Sequence, residues 1–538
     1  MSLVLYFSFR NAYGVILPLT VCVISTLWTL GLMALMDIRI NIITSTIPVF
    51  LMTISIADSI HFMSDYYRNL EKMDAGAAVN HSMMRLTNPL MMTSVTTCMG
   101  FLALSYTKLI YVSQFGLFMS VGVAIAFVVT VTFLPAILPF LNVQRGKNTQ
   151  HGGSGNSYLF RQFSRLLHWL NGKSVVFSVL ILLLGAGMLV ASRDVPVDNQ
   201  NIAQFDKSTD IRKADVLLNQ YFGGTVPNYF WIRGTESRAF VKPEAMAALD
   251  AIKQRLMSHK EIGYVASPSD FMKRMNQQIN HDTFRLPPDP SEALYGQYLF
   301  LYENSTEQDV RNLLDPDYKN ALIVAMSHTE KASDLRRIIQ DVDAYAATVL
   351  PTNMKLVASG FGEVLVKSTD EIVNGQLRSF VLSALFVMVT LLLLFRSLPV
   401  ALISVLPLSL TVLTNFSVIQ LSGSYIDIGT ALIAGIVFGI GVDFVIHLLS
   451  SVQGAIRAGA KPAEAVVLAV EEVWLPIMLN AISMAMGFLV LVYSNYGVTA
   501  RLGMMVASSM MLCALFTLLV VPVLINLVKP KVLYQEAG

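Results

Sequence analysis

Charge is what this 538-residue chain has least of. Asp, Glu, Lys and Arg together make up 14% of it, against 54% hydrophobic residues and a positive mean hydropathy. That balance excludes a wholly soluble protein and points to a chain that crosses a membrane many times. Cysteine is scarce too: Cys22, Cys98 and Cys513 all lie in apolar runs, which makes them small buried residues and excludes a disulfide framework. There is no basic tract for nucleic acid, and the net charge of +2 averages over membrane and soluble parts. No Gly-x4-Gly-Lys-Ser/Thr loop occurs, so ATP does not drive the protein directly. No nucleophile–base pair suggests an enzyme. The Asp, Glu and His residues of 193–376 lack metal-ligand spacing, so the expectation is neither cofactor nor metal.

Long apolar runs are what is present. At ~20 residues per crossing, full spans are expected near 12–35, 43–63, 90–107, 112–141, 174–192, 377–395, 399–421, 427–450, 475–493 and 502–527. The opening residues, Met1 to Phe9, are apolar but stop at Arg10, too soon to span. They read as the tail of a span whose beginning is absent, and not as a signal peptide. Residues 142–173 are polar and basic, and read as a linker followed by a short amphipathic surface helix. The block 193–376 is the one large soluble piece. Tyr229-Phe-Trp-Ile232 and Ala321-Leu-Ile-Val-Ala325 look like buried strands, while Pro243 to Met257 and Ser333 to Ala347 have helical periodicity. The alternation predicts a small α/β domain of split-βαβ type.

Basic residues set the orientation. Arg10, Arg68, Lys72, Arg85, the 145–173 cluster, Arg396, Arg457, Lys461, Lys529 and Lys531 fall on one side of the expected spans; Arg39, Lys108 and Arg501 fall on the other. By the positive-inside rule the first side is cytoplasmic, which leaves 193–376 outside a cell inner membrane.

Two ionisable clusters interrupt the apolar runs. Asp443 stands in Gly439-Ile-Gly-Val-Asp-Phe-Val-Ile-His447, and Asp58 in Ala57-Asp-Ser-Ile-His61. Each histidine follows its acid by one helical turn, on the same face. A charge in lipid costs from ~2.5 kcal/mol upward, so such residues usually face protein or water and mark a functional path. Asp58 and Asp443 are therefore the sharpest candidates, as a proton relay; the alternative is that each sits at a water-exposed helix end and merely caps or solubilises it. His61 and His447 either extend the relay, since histidine titrates near neutrality, or are interfacial hydrogen-bonded residues. Gly435, Gly439 and Gly441 on one helix, with Ser55 and Ala57 on the other, are expected to let the two acid-bearing helices approach closely. Thr93, Thr97 and Gly100 share a helical face, as do Asn480, Ser483 and Gly487. These can support the acids, although hydroxyls at such spacing more commonly glue helices together.

The chain also repeats itself. Pro89 and Pro476, Gly100-Phe101 and Gly487-Phe488, Gly116 and Gly503, and Pro135 and Pro522 each stand 387 residues apart; His61 and His447 stand 386 apart. A repeat held over five spans is the mark of duplication, a common transporter architecture.

At these motifs, together with Thr93-Ser-Val-Thr-Thr-Cys-Met-Gly-Phe101 and the span-ending Phe395-Arg396, the chain resembles the resistance–nodulation–division (RND) superfamily in its MMPL-type branch. The five-span block is similar to the sterol-sensing domain shared with Patched-like proteins. The resemblance implies an α-helical polytopic membrane protein with an RND-type duplicated transmembrane bundle and one external α/β, porter-like domain. It implies proton-driven export of hydrophobic or lipid-like substrates, with membrane lipid and protons as further partners. The expected organisation is a first repeat at 1–141, the linker at 142–173, a span at 174–192, the external domain at 193–376, a second repeat at 377–528 and a cytoplasmic tail at 529–538. Two departures stand out. The family's first span and first external domain are missing, which leaves room for a separate polypeptide that supplies them. Ser59 and Phe444 follow the acids where many relatives have tyrosine, and the lysine of the drug-efflux branch has no counterpart. A sterol-sensing-like lipid-binding or regulatory protein, or an inactive fragment of a split transporter gene, remain alternatives.

Overall fold

The computed structural model describes residues 2–9, 11–141, 158–193, 195–198, 200–303 and 310–534. The expected linker between 142 and 157 lies outside them. The chain divides into two compact units, Met1–Pro196 with Ile372–Gly538, and Val197–Glu371.

The first unit is helical. Its N-terminal half comprises α1 (Ser2–Phe9), α2 (Tyr13–Leu35), α3 (Ile47–Leu70), α4 (Ala75–Leu102), α5 (Ile110–Ile137), the amphipathic α6 (Tyr158–Gly172) and α7 (Ser174–Ala191). The second unit begins with α8 (Asp210–Tyr221). Then come β1 (Val226–Gly234), α9 (Pro243–Met257), β2 (Ile262–Ala266), α10 (Pro268–Asn280), α11 (Glu292–Glu303), α12 (Val310–Leu313), β3 (Asn320–Ser327), α13 (Ala332–Val349) and β4 (Met354–Ser359). The chain continues with α14 (Gly360–Phe395), which belongs to the first unit from Ile372 onward, α15 (Leu398–Leu421), α16 (Ile433–Arg457), α17 (Pro462–Leu489), α18 (Gly497–Val528) and α19 (Lys531–Tyr534).

The strands form one sheet in the order β2-β3-β1-β4, with every neighbouring pair antiparallel. Two β-α-β halves, β1-α9-β2 and β3-α13-β4, interleave so that β3 lies between β1 and β2: a split-βαβ arrangement, with α10 to α12 inserted between the halves. Along β1 burial alternates, so Phe230 and Ile232 point to one face. There they join Leu249 and Ile252 of α9 and Ile338 and Val342 of α13 in one core. At the head of α10 a Ser267–Asp270 capping box satisfies the free backbone N–H groups.

In the helical unit, nine of the described helices are long and apolar enough to cross a membrane. The tenth expected span, 90–107, is not one of them. Its residues form the end of α4 and a short 3-10 turn, Ala103–Tyr106. Thr93, Thr96 and Thr97 lower its hydropathy, and they are buried, so this part of α4 needs no apolar surface there.

The duplication is structural as well as sequential. Ile47 and Ile433 open α3 and α16, 386 residues apart, while the starts of α4 and α17, and of α5 and α18, are 387 apart. The contacts repeat too. A β-carbon at Gly116 would stand 2.6 Å from the Phe101 carbonyl oxygen, and one at Gly503 would stand 2.6 Å from that of Phe488. Glycine is thus required at both crossings for the same reason. The repeats share one apolar core, in which Phe50 of α3 packs on Phe488 of α17 with ring centroids 4.7 Å apart.

Candidate functional site

The site is organised by α16, whose residues from Ile433 to Ile446 are all buried. It packs against α4, α15, α17 and α18, while α3 packs against α2, α4, α5 and α17. A helix wrapped by protein on every side can carry Asp443 without exposing it to lipid. Asp58 and Asp443 are both buried, each 6% exposed. Among the described residues, neither forms a salt bridge, yet the two carboxylates lie within Coulomb range of each other.

One turn beyond the acids the helices meet through their histidines. The rings of His61 and His447 stack with centroids 4.2 Å apart and planes inclined by 28°. His61 Nε2 is buried and has no hydrogen-bond partner among the described residues. Sequence reading groups the two histidines in one site but does not bring their rings together. The matching signal is that they occupy equivalent positions of the two repeats.

The glycines do a different job from the one expected. A β-carbon at Gly435 would meet Leu104 Cγ at 2.6 Å, and one at Gly441 would meet Cys513 Sγ at 2.6 Å. Gly100 of α4 lies against the backbone of Gly439, where an added β-carbon would stand 2.4 Å from the Gly439 Cα. The close approaches of α16 are therefore to α4, the adjoining turn and α18, and not to Ser55 and Ala57 of α3. A helix with glycines at 435, 439 and 441 has two slim faces, and both are filled by neighbours other than α3. Cys513, which the sequence marks only as a small buried residue, is the residue Gly441 accommodates.

The supporting polar residues separate. Thr97 Oγ1 donates to the Gly439 carbonyl at 2.8 Å and lies 3.4 Å from Asp443 Oδ1, so it joins α4 to α16 beside the acid. Thr93 donates to the Leu90 carbonyl of its own helix at 2.9 Å. Asn480 and Ser483 of α17 are buried, and Asn480 Oδ1 has no partner among the described residues. No group of His, Cys, Asp and Glu able to hold a metal occurs among the described residues.

Comparison with known proteins bears on the whole arrangement. A profile of the sterol-sensing domain of SREBP cleavage-activation matches residues 13–153. The membrane protein MJ1562 of Methanocaldococcus jannaschii is 31% identical over 137 residues, 25% of this chain and 35% of that protein. MmpL10 of Mycobacterium leprae, named as a probable transport protein, is 24% identical over 269 residues, 47% of this chain and 26% of that one. The chain thus matches about a third or less of the length of each of these relatives. The profile of the MMPL family matches residues 208–536, more than half of the sequence, through the split-βαβ unit and all of the second repeat with its acid-bearing helix; the chain belongs to the MMPL family.

Proposed function

We propose that this chain is a proton-coupled transporter that exports hydrophobic or lipid-like substrates across the cell inner membrane, with Asp58 and Asp443 as its proton-binding pair and residues 193–376 outside. The observation that carries this reading is the pair itself: one buried carboxylate from each repeat, within Coulomb range, beside a cross-repeat stack of histidines. Two neighbouring carboxylates out of water repel when both are charged. A proton arriving on either relieves that repulsion, and its loss restores it, which supplies a two-state element for alternating access. His61 and His447 lie one turn away and can pass protons on, with Thr97 as the hydroxyl nearest Asp443. The resemblance of part of the chain to a protein named for transport favours the same reading.

The test uses the full chain in proteoliposomes with a pH-sensitive dye inside and an imposed pH gradient. Asp443→Asn and Asp58→Asn are each expected to lower proton flux at least tenfold while the protein still folds and inserts. Wild-type flux in the double variant ends the proposal.

The sterol-sensing match over 13–153 favours a second reading, a lipid-binding regulatory protein. In that case neutralising the acids leaves both lipid binding and the absence of proton flux unchanged.

A further inference from the structure

Helices α3 and α16 are approached through the same turn, built from different chemistry. In the second repeat Asp427 N donates to Thr430 Oγ1 and Thr430 N donates to Asp427 Oδ1, both at 2.8 Å. In the first, Asn41 N donates to Thr44 Oγ1 at 2.8 Å and Thr44 N donates to Asn41 Oδ1 at 3.0 Å. Asn41 and Asp427 are 386 residues apart, as are Thr44 and Thr430.

The capping side chain then reaches across to a second helix. Asn41 Nδ2 donates to Gln114 Oε1 at 3.3 Å, in the first turns of α5. Asp427 Oδ2 accepts from Arg501 Nε at 3.1 Å and from Arg501 Nη2, in the first turns of α18. Gln114 and Arg501 are 387 residues apart, each the fifth residue of its helix. The Arg501 guanidinium also lies over the Tyr425 ring, 5.0 Å from its centroid, where the first repeat has exposed Arg39. Asp427 is fully buried, at 0% exposure.

These two versions differ in strength. A hydrogen bond between charged groups is roughly twice as strong as one between neutral groups. Breaking the ionic version strands a fully buried carboxylate, a costly outcome. The amide–amide bond is long, near the limit for a hydrogen bond, and Asn41 is only partly buried, so its side chain can turn to water when it opens.

We propose that this duplicated turn is a clamp, closed ionically in the second repeat and releasable in the first. It holds α16 to α18, and lets the N-terminal end of α3 part from α5 during the working cycle. The assignment of motion rests on the transport reading above; the difference in stiffness does not.

Hydrogen exchange on the full chain in lipid nanodiscs tests the stiffness directly. Amides of residues 41–50 are expected to exchange at least tenfold faster than those of 427–436. Asn41→Asp with Gln114→Arg, which carries the ionic pair into the first repeat, should bring the two turns within about threefold of each other. It should also slow proton flux in proteoliposomes severalfold. Asp427→Asn with Arg501→Gln should speed exchange at 427–436 about tenfold; if that variant does not fold, the transplanted pair alone decides. Equal exchange at the two turns in the wild-type chain, or a transplant that leaves 41–50 unchanged, overturns the clamp. Slowed exchange with undiminished flux overturns the assignment of motion. A wild-type chain without any proton flux overturns the transport reading and with it that assignment, while the exchange comparison still decides the clamp.

Discussion

Gly100 is where a single methyl group should do the most damage to the bundle. Its added β-carbon would stand 2.4 Å from Gly439 Cα, 2.7 Å from Gly439 N and 3.3 Å from the Phe438 carbonyl carbon. All three are backbone atoms of a buried helix, so no side chain can rotate out of the way. Carbon atoms rest at about 3.5 Å or more, so α4 and α16 must part locally by roughly 1 Å. Overpacking of this kind costs typically 1–3 kcal/mol. The parting also stretches the 2.8 Å bond from Thr97 to the Gly439 carbonyl, worth about 1 kcal/mol more. Gly100→Ala should therefore lower the unfolding free energy by about 2–4 kcal/mol. Gly439→Ala serves as the sharp control: its β-carbon would sit 3.4 Å from the Thr97 carbonyl oxygen, close to ordinary contact, and should cost under about 1 kcal/mol. Gly31→Ala meets nothing within 4 Å and should be neutral or slightly stabilising. The assay is denaturant unfolding in mixed micelles, with all variants measured side by side. If Gly100→Ala is no worse than Gly31→Ala, or Gly439→Ala is the worse of the two contact variants, the helix contact has been misread.

Two further outcomes can be checked on the full chain. Ser333 is exposed on the split-βαβ unit, so Ser333→Cys should react with a membrane-impermeant thiol reagent added outside the inner membrane; protection there, with labelling from the cytoplasmic side, reverses the proposed orientation. In the same unit Asp341 accepts from Arg255 Nε at 2.8 Å and sits 2.9 Å from His259 Nε2, tying α13 to α9; hydrogen bonding by Arg255, more than the contribution of His259, holds its carboxyl below the usual range. A depressed carboxyl contributes stability above its unfolded pKa of about 3.9 and loses it as pH falls through the lower folded value. Amide protection of α9 and α13 should thus weaken below about pH 4, and Asp341→Asn should remove that dependence; an unchanged pH profile in the variant assigns the acid sensitivity elsewhere.

Much of this architecture is legible in the sequence because long-range physics leaves simple marks on it. Apolar run length reports spans, since a helix in lipid has to be apolar wherever lipid touches it. The mark is faintest at α4, where the expected span 90–107 is less apolar than the others: the hydroxyl-bearing residues Thr93, Thr96 and Thr97 are buried, and hydropathy cannot tell a polar residue inside protein from one in water. In the split-βαβ unit the helix reading is accurate, and α9 runs over the Pro243–Met257 expected from its periodicity, because one apolar stripe has one core to face; the strands expected to be buried are buried on one face only, with Tyr229 and Trp231 exposed on the other. In α16 the helix reading is not accurate. A helix buried all round has no polar stripe, so its sequence does not say that Gly435 and Gly439 face the α4 side while Gly441 faces α18. The histidine stack escapes for a related reason: it depends on how two helices cross, which no single helix encodes.

The duplication invites the view that the two acids are copies of one another, and the geometry argues against it. Asp58 precedes His61 by three residues and Asp443 precedes His447 by four. At about 100° per residue, the acids flank their histidines on opposite sides, roughly 60° one way and 40° the other. With the two rings stacked at 4.2 Å, the carboxylates cannot both occupy symmetry-related places. Their neighbours differ accordingly. Thr97 of α4 lies 3.4 Å from Asp443 Oδ1, while the equivalent position of α17, 387 residues on, is Met484, which has no hydroxyl to offer. The lead-in turns break the symmetry in the same sense, neutral before α3 and ionic before α16. A pair of identical acids would share a proton without preference. Under the proposed proton coupling, inequivalent acids, on helices that the proposed clamp holds with unequal firmness, take it in a fixed order, and a fixed order is what a transport cycle with a direction needs.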